Sequence, residues 1–328
     1  MFFKHSKSLD LNHSGQSLLD LLVTLMIGGI IVGGTLASFI DTGRRVRDNR
    51  TVIETEETAR SIAELMVYEL RGAGAGMPLG QDYFAIGDGD LGNVPEPIIV
   101  TAGGGYTSSD ASKITFRRNV TGKGSFLKVL YAPILMCALC PVPNIVTVAD
   151  SSQFFIGEYV YLSSKLSGSD YPENGMYAQI EDIVGGVIGQ LTLKRSSMVR
   201  KTSPAQIFPI GSTIDPVQDI VYDGSNPTLG ITRSVSKASF RDTATVVLAP
   251  NSSLEIKYYD KTVGPTDEVG AEIALPLTAA KLANDLMTIR FTVTVDSPRP
   301  LSNGDTYTAE VTRYVFPRNL RTIRPYGS

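Results

Sequence analysis

The sequence predicts an α+β chain: a long N-terminal helix, transmembrane in its first half and amphipathic in its second, carrying a β-rich globular head. Three observations predict it. Residues 21–40 run for twenty positions without a charge, and a helix of that length reaches about 30 Å, the thickness of a bilayer's hydrocarbon core. From Val52 onward apolar residues recur at three- and four-residue steps, the signature of one buried helix stripe. Past Pro78 the pattern changes to short runs of period two, the signature of strands.

The helix comes first. Gly28, Gly29, Gly33 and Gly34 interrupt its apolar half, and Gly29 with Gly33 form a GxxxG pair. Three readings of these glycines stay open: close helix packing in lipid, the ordinary frequency of glycine in membrane helices, or a softened helix that can stretch. Arg44, Arg45, Arg47 and Arg50 follow the apolar run, with Asp41 and Asp48 among them. They form a solvated juxtamembrane face, or a surface for lipid phosphates or for acids of adjacent subunits.

Val52, Thr55, Ala59, Ile62, Met66 and Leu70 make the apolar stripe of the second half, and Glu56 with Arg60 makes a favourable i,i+4 pair. The run ends in Gly72, Gly74 and Gly76, then Pro78, a strong helix stop. The expected organisation is a leader at 1–15, a transmembrane helix at 16–40, an amphipathic continuation at 41–72 and a β-rich head at 73–328. Strands are expected at 98–102, 113–117, 126–132, 145–149, 158–162, 177–184, 190–194, 219–222, 254–259, 285–295 and 306–316, arranged as two packed sheets. One short turn of helix is expected at 279–286.

The segment ahead of the apolar run carries the most specific signal. Residues 1–14 are short and polar, with Lys4 and Lys7 to hold them on the cytoplasmic side. Gly15, Gln16, Ser17, Leu18, Leu19 and Asp20 follow. In a secretory signal the cut comes after the apolar stretch; here a processing point precedes it. Asp20 has no use in a plain anchor, because a carboxylate in the bilayer costs about 2.5–3.5 kcal/mol on insertion scales.

This order resembles the class III signal of type IV prepilins and type II secretion pseudopilins. The resemblance implies cleavage between Gly15 and Gln16 by a prepilin peptidase and methylation of the new amino group of Gln16. It also implies an assembly role for Asp20, the fifth residue after the cut, paired with the N-terminal amine of a neighbouring subunit. Most members carry Phe or Met where Gln16 stands and Glu where Asp20 stands. Residues 64–74, ELMVYELRGAG, resemble the helix end of minor pilins of the PilW and GspJ type. So do three stretches of the head: FFIGEYVYLSS, LANDLMTIRFTVTVD and YTAEVTRYVFPRNLR.

The implied function is that of a minor pilin or minor pseudopilin, taking part in priming, assembly or tip formation of a type IV pilus or related secretion filament. Its implied partners are the prepilin peptidase, other major and minor pilins, the inner-membrane assembly platform and the lipid bilayer. Its implied location is the bacterial inner membrane with the head in the periplasm, then the filament.

Composition limits the chemistry. The net charge is −3, and removal of residues 1–15 leaves 28 basic against 32 acidic side chains, so no basic footprint points to nucleic acid. The only histidines, His5 and His13, lie in the leader. A chain cut at Gly15 therefore has no Ser-His-Asp or Cys-His machinery and no histidine metal site. No catalytic residue, cofactor or firm metal site is expected.

Cys137 and Cys140, crowded by Pro133, Pro141 and Pro143, read as a short structural disulfide in an oxidising compartment, with a thiol redox centre as the alternative. Asp88, Asp90 and Asn93 place oxygen ligands at spacing similar to a calcium loop, though an acidic turn is the default. Gly103, Gly104 and Gly105 lack the helix and lysine of a phosphate loop.

Three rival readings remain. A tip adhesin would use surface aromatics such as Tyr171, Tyr258 and Tyr259, which could equally be packing. A membrane-tethered thiol oxidoreductase would use the cysteine pair. A cut after Thr35-Leu36-Ala37 would release a secreted protein beginning near Ser38.

Overall fold

A computed structural model of the chain describes residues 14–74, 98, 109–120, 122–131, 144–165, 172–185, 188–194, 199–200, 208–236, 245–260, 270–277, 286 and 288–317. It is α+β: one long N-terminal helix, α1 (Ser14–Arg71), and thirteen described strands, β1–β13, in antiparallel sheets. The chain divides into two compact units, Met1–Glu54 with Arg299–Tyr307, and Thr55–Pro298 with Thr308–Ser328.

In the first unit α1 presents its apolar residues outward. Leu25 is 67% exposed, Ile30 71% and Phe39 81%. The helix is long and apolar enough here to cross a membrane, and none of its most apolar window is buried. Below this run, Arg45–Asp41 and Arg50–Glu54 form exposed i,i+4 ion pairs. The segment Arg299–Tyr307 folds into a tight turn, with Gly304 at φ 89° and the Leu301 amide bonded to the Asp305 carbonyl. Its Ser302 grips Asp48: the amide donates to Oδ1 at 3.0 Å and the hydroxyl to Oδ2.

In the second unit the helix buries one stripe. Thr55, Ala59, Ile62, Ala63, Met66 and Leu70 are all 4% exposed or less, the face expected from the three- and four-residue spacing. The helix stops at Arg71. Gly72 and Ala73 donate to the carbonyls of Glu69 and Leu70, and Gly74, at φ 70°, donates to Arg117 at 2.8 Å. A left-handed glycine past the last turn redirects the chain toward Arg117 without a Cβ penalty.

The larger sheet contains β1 (Lys113–Arg118), β2 (Ser125–Phe126), β3 (Ile145–Val148), β4 (Tyr159–Lys165) and β5 (Pro172–Gly185), followed by β6 (Gly189–Leu193), β7 (Val199–Arg200), β8 (Thr213–Asp223), β9 (Ile231–Ser236) and β10 (Val246–Ala249). Its strands do not lie in one flat layer. Strand β8 changes partners midway: residues 213–217 pair with β4, while 219–223 pair with β9. On its other edge β2 pairs near 213–214 and β1 near 218–223.

From the first half of β8 the pairing runs through β4, β5, β6 and β3. It then returns to the β2 edge through the Leu127–Val148 bridge, flanked by hydrogen bonds from Lys128 to Thr147 and from Ala149 to Phe126. Six antiparallel strands thus close into a small barrel, inserted between β1 and the second half of β8. Closure removes the edges that an open sheet would expose.

Side chains fill the barrel. Leu127, Val146, Leu162, Met176, Leu191 and Ile214 are among its interior residues, each no more than 1% exposed. Where β8 passes from barrel to sheet, residues 216–220 are all buried, as expected of a strand covered on both faces.

The second sheet is a meander of β11 (Ser252–Tyr259), β12 (Thr288–Asp296) and β13 (Thr308–Val315). Leu254, Ile256 and Tyr258 alternate inward from β11, and Ile289, Phe291, Val293 and Val295 from β12. The Ile256 amide donates to Ala111 just before β1, and the Ile231 amide to Ser252 Oγ.

Candidate functional site

The residues named for processing and assembly lie on α1. Gly15 and Gln16 fall within its first turn. Asp20 is exposed, and its carbonyl accepts the Thr24 hydroxyl at 2.6 Å. At Gly29 and Gly33 an added Cβ would meet nothing within 4 Å. At about 100° per residue, Gly29 falls about 180° from Asp20 around the helix, and Gly33 about 140° from it. The acid and the small-residue pair therefore occupy opposite faces of one exposed rod.

The end of the same helix is fixed by charge. Arg233 Nε and Nη2 donate to Glu69 Oε2 and Oε1 at 3.0 and 2.6 Å, and the Tyr222 hydroxyl donates to Oε2. Glu69 is 4% exposed. Such two-point guanidinium–carboxylate geometry is among the stronger polar contacts available to a protein. Burial pushes the Tyr222 phenol well above its ordinary range, and the Glu69 charge pushes it further. The Tyr222 ring stacks on Phe116 of β1 at 6.3 Å.

A second buried pair sits on β1 and β8. Arg117 Nε donates to Asp219 Oδ1 at 3.0 Å with both side chains within 1% of full burial. Burial raises the Asp219 carboxyl, and Arg117 opposes that shift. The Arg117 guanidinium also lies 5.1 Å from the centre of the Tyr177 ring, which stacks on Tyr159 at 5.2 Å. Tyr159, Tyr161 and Tyr177 stand on β4 and β5 in the positions that alternate with the barrel interior. They join the barrel wall to the β1–β8 ladder.

Beside the helix end a groove of about 700 Å³ opens between α1, β1 and β13, lined among others by Glu64, Tyr68, Arg71, Arg118, Arg313 and Tyr314. Arg118 stacks over the Tyr68 ring at 5.1 Å and points Nη1 at the Tyr68 and Glu69 carbonyls, 3.4 Å away. None of these groove residues stood out by spacing. They come together only through the docking of the helix end on β1 and β13.

Of the other expected sites, Cys137 and Cys140 lie outside the described residues, as do Asp88, Asp90 and Asn93 and residue Tyr171. Tyr258 is fully buried and Tyr259 is 9% exposed. Both are packing residues of β11 rather than surface aromatics, because the period-two alternation turns Tyr258 onto the same inner face as Leu254 and Ile256. Among the described residues no three His, Cys, Asp or Glu side chains gather as a metal site. Comparison with protein-family models, with curated proteins and with solved structures returns no match.

Proposed function

We propose that the chain is a minor pilin or minor pseudopilin. It is cut between Gly15 and Gln16 by a prepilin peptidase and takes part in priming, assembly or tip formation of a type IV pilus or related secretion filament. The observation that carries the reading is the division of labour along α1. One uninterrupted helix leaves its apolar half wholly unburied and buries a single stripe of its other half. An apolar rod without partners in its own chain needs them elsewhere, in lipid or in other rods.

The opposed placement of Asp20 and the Gly29–Gly33 pair supports the same reading. A subunit inside a bundle touches neighbours on more than one side. One face offers a charge to pair with a neighbour's amine, and the other offers close backbone approach. The protein acts by assembly rather than catalysis. Its partners are other pilins, the assembly platform, the peptidase and the inner-membrane bilayer.

The mass of the N-terminal peptide from membrane-purified protein tests the reading. A peptide beginning at methylated Gln16 is the expected result. An intact leader, or a chain beginning near Ser38, would overturn it.

A further inference from the structure

We propose that the groove between Tyr68, Arg71, Arg118, Arg313 and Tyr314 is a docking site for an acidic peptide segment of a partner protein. The charge balance is the first argument. Three guanidiniums line the groove against one carboxylate, Glu64. That carboxylate approaches Arg313 only to 4.0 Å, with the two side chains 73% and 41% exposed, and such an open pair adds little. Arg71, in the last turn of the helix, has no carboxylate partner among the described residues. Among the described residues the groove therefore holds more positive than negative charge.

The second argument is the aromatic content. Tyr68 is 68% exposed and Tyr314 44% exposed, although each is large enough to bury usefully. The Arg118 guanidinium pins the Tyr68 ring from one side, so little freedom is lost when the other side is covered. Exposed tyrosines interleaved with arginines are the residue types enriched where proteins bind one another.

The third argument separates a peptide from a polyphosphate or nucleic acid. The groove floor is the C-terminal end of α1, including Gly72, and a helix C-terminus carries partial negative charge. Glu64 adds a full negative charge at the rim. A uniform polyanion is repelled by that floor. A peptide brings carboxylates for the arginines and apolar side chains to cover the Tyr68 and Tyr314 rings. The size suits a short segment, since the volume lies within the usual range of 300–1,000 Å³ for small ligand sites.

The test uses the full chain in detergent micelles and a labelled eight-residue peptide of glutamate and leucine, with inorganic polyphosphate as competitor. Binding is expected to weaken with salt, to fall about tenfold in Arg313→Glu and in Tyr68→Ala, and to be largely kept in Arg313→Lys. Arg313 and Tyr68 are exposed enough that thermal unfolding serves as the control for folding. Equal peptide binding by the wild type and both weakening variants would overturn the proposal, as would tighter binding of polyphosphate than of peptide. So would self-association that is lost in Arg313→Glu and that the peptide does not displace. Binding that emerges only after Asp82, Asp88 and Asp90 are neutralised would place the chain's own segment in the groove, and would overturn it too. None of these readouts depends on leader cleavage, so the peptide assay and the mass measurement on Gln16 fail independently.

Discussion

Glu69 and Arg233 form a two-point ion pair across 164 positions of sequence. It joins the last turn of α1 to β9, and Tyr222 of β8 completes it from the other side. The contact is a pin: it fixes where the helix ends on the sheet. Removing one partner leaves the other charged and buried, and breaking a buried pair in this way costs about 3–5 kcal/mol. Glu69→Ala is therefore expected to destabilise the second unit by about 3 kcal/mol, because Arg233 is left with one-fifth of its side chain in water. Denaturant unfolding followed by tyrosine emission measures it, the chain having no tryptophan. A loss below about 1 kcal/mol, the net value of an ordinary hydrogen bond, would show that the pin is not structural.

Four buried phenols, Tyr222 among them, make stability depend on pH at the alkaline end. Tyr161, Tyr177, Tyr222 and Tyr258 all have phenols raised above their ordinary range, chiefly by burial. A group with a raised folded-state pKa holds its proton more tightly when folded. Its contribution is fully present below the unfolded value, about 10 for tyrosine, and is lost as pH rises above that value. Stability is expected to fall steeply above about pH 10. The phenolate absorbance of these four should appear only with unfolding. Smooth titration of every tyrosine in the native protein would contradict the burial.

Much of this arrangement could not be read from the residues in order. The helix was legible because its stripe repeats every three or four positions, and that repeat reports which face is buried. Most strands were legible for the corresponding reason. Strand β9, ITRSVS, carries no strand signal of its own, because only two of its residues are apolar and its place depends on pairing with β8. Closure of the barrel was illegible because it rests on a single bridge, Leu127 to Val148, after a strand of two residues. Period reports faces, whereas partners follow from register, and register between distant strands leaves no local trace. For the same reason Tyr68, Arg118 and Arg313 carry no signal until the chain has folded.

Arg117 and Asp219 offer a different test, because both are buried completely. Asp219→Ala alone leaves a guanidinium buried over the Tyr177 ring and is expected to cost about 3–5 kcal/mol. Replacing the pair together, as Arg117→Met with Asp219→Leu, is expected to recover most of that loss. Buried ion pairs are often no more stable than apolar side chains of similar volume. The double-mutant cycle reads the coupling directly. Additive losses in the double variant would mean that the two side chains act separately.

The helix glycines separate folding from assembly. An added Cβ at Gly29 or Gly33 meets nothing within 4 Å, so Gly29→Leu and Gly33→Leu should leave the thermal unfolding of the head unchanged. Under the proposed function the same two changes should lower incorporation into filaments, because the bulk intrudes on a neighbouring rod. Asp20→Ala should also block incorporation while the leader is still cut, and Asp20→Glu, which retains the charge, should restore it. The measurement is the ratio of filament-associated to membrane-associated protein in cells expressing each variant. The glycine face lies opposite Asp20, so the two classes of variant probe different neighbours. Combining Gly33→Leu with Asp20→Glu is expected to reproduce the defect of Gly33→Leu alone. If Asp20→Ala incorporated normally, the charge would have no role in assembly, and the small-residue face would be left as the sole contact required of the helix.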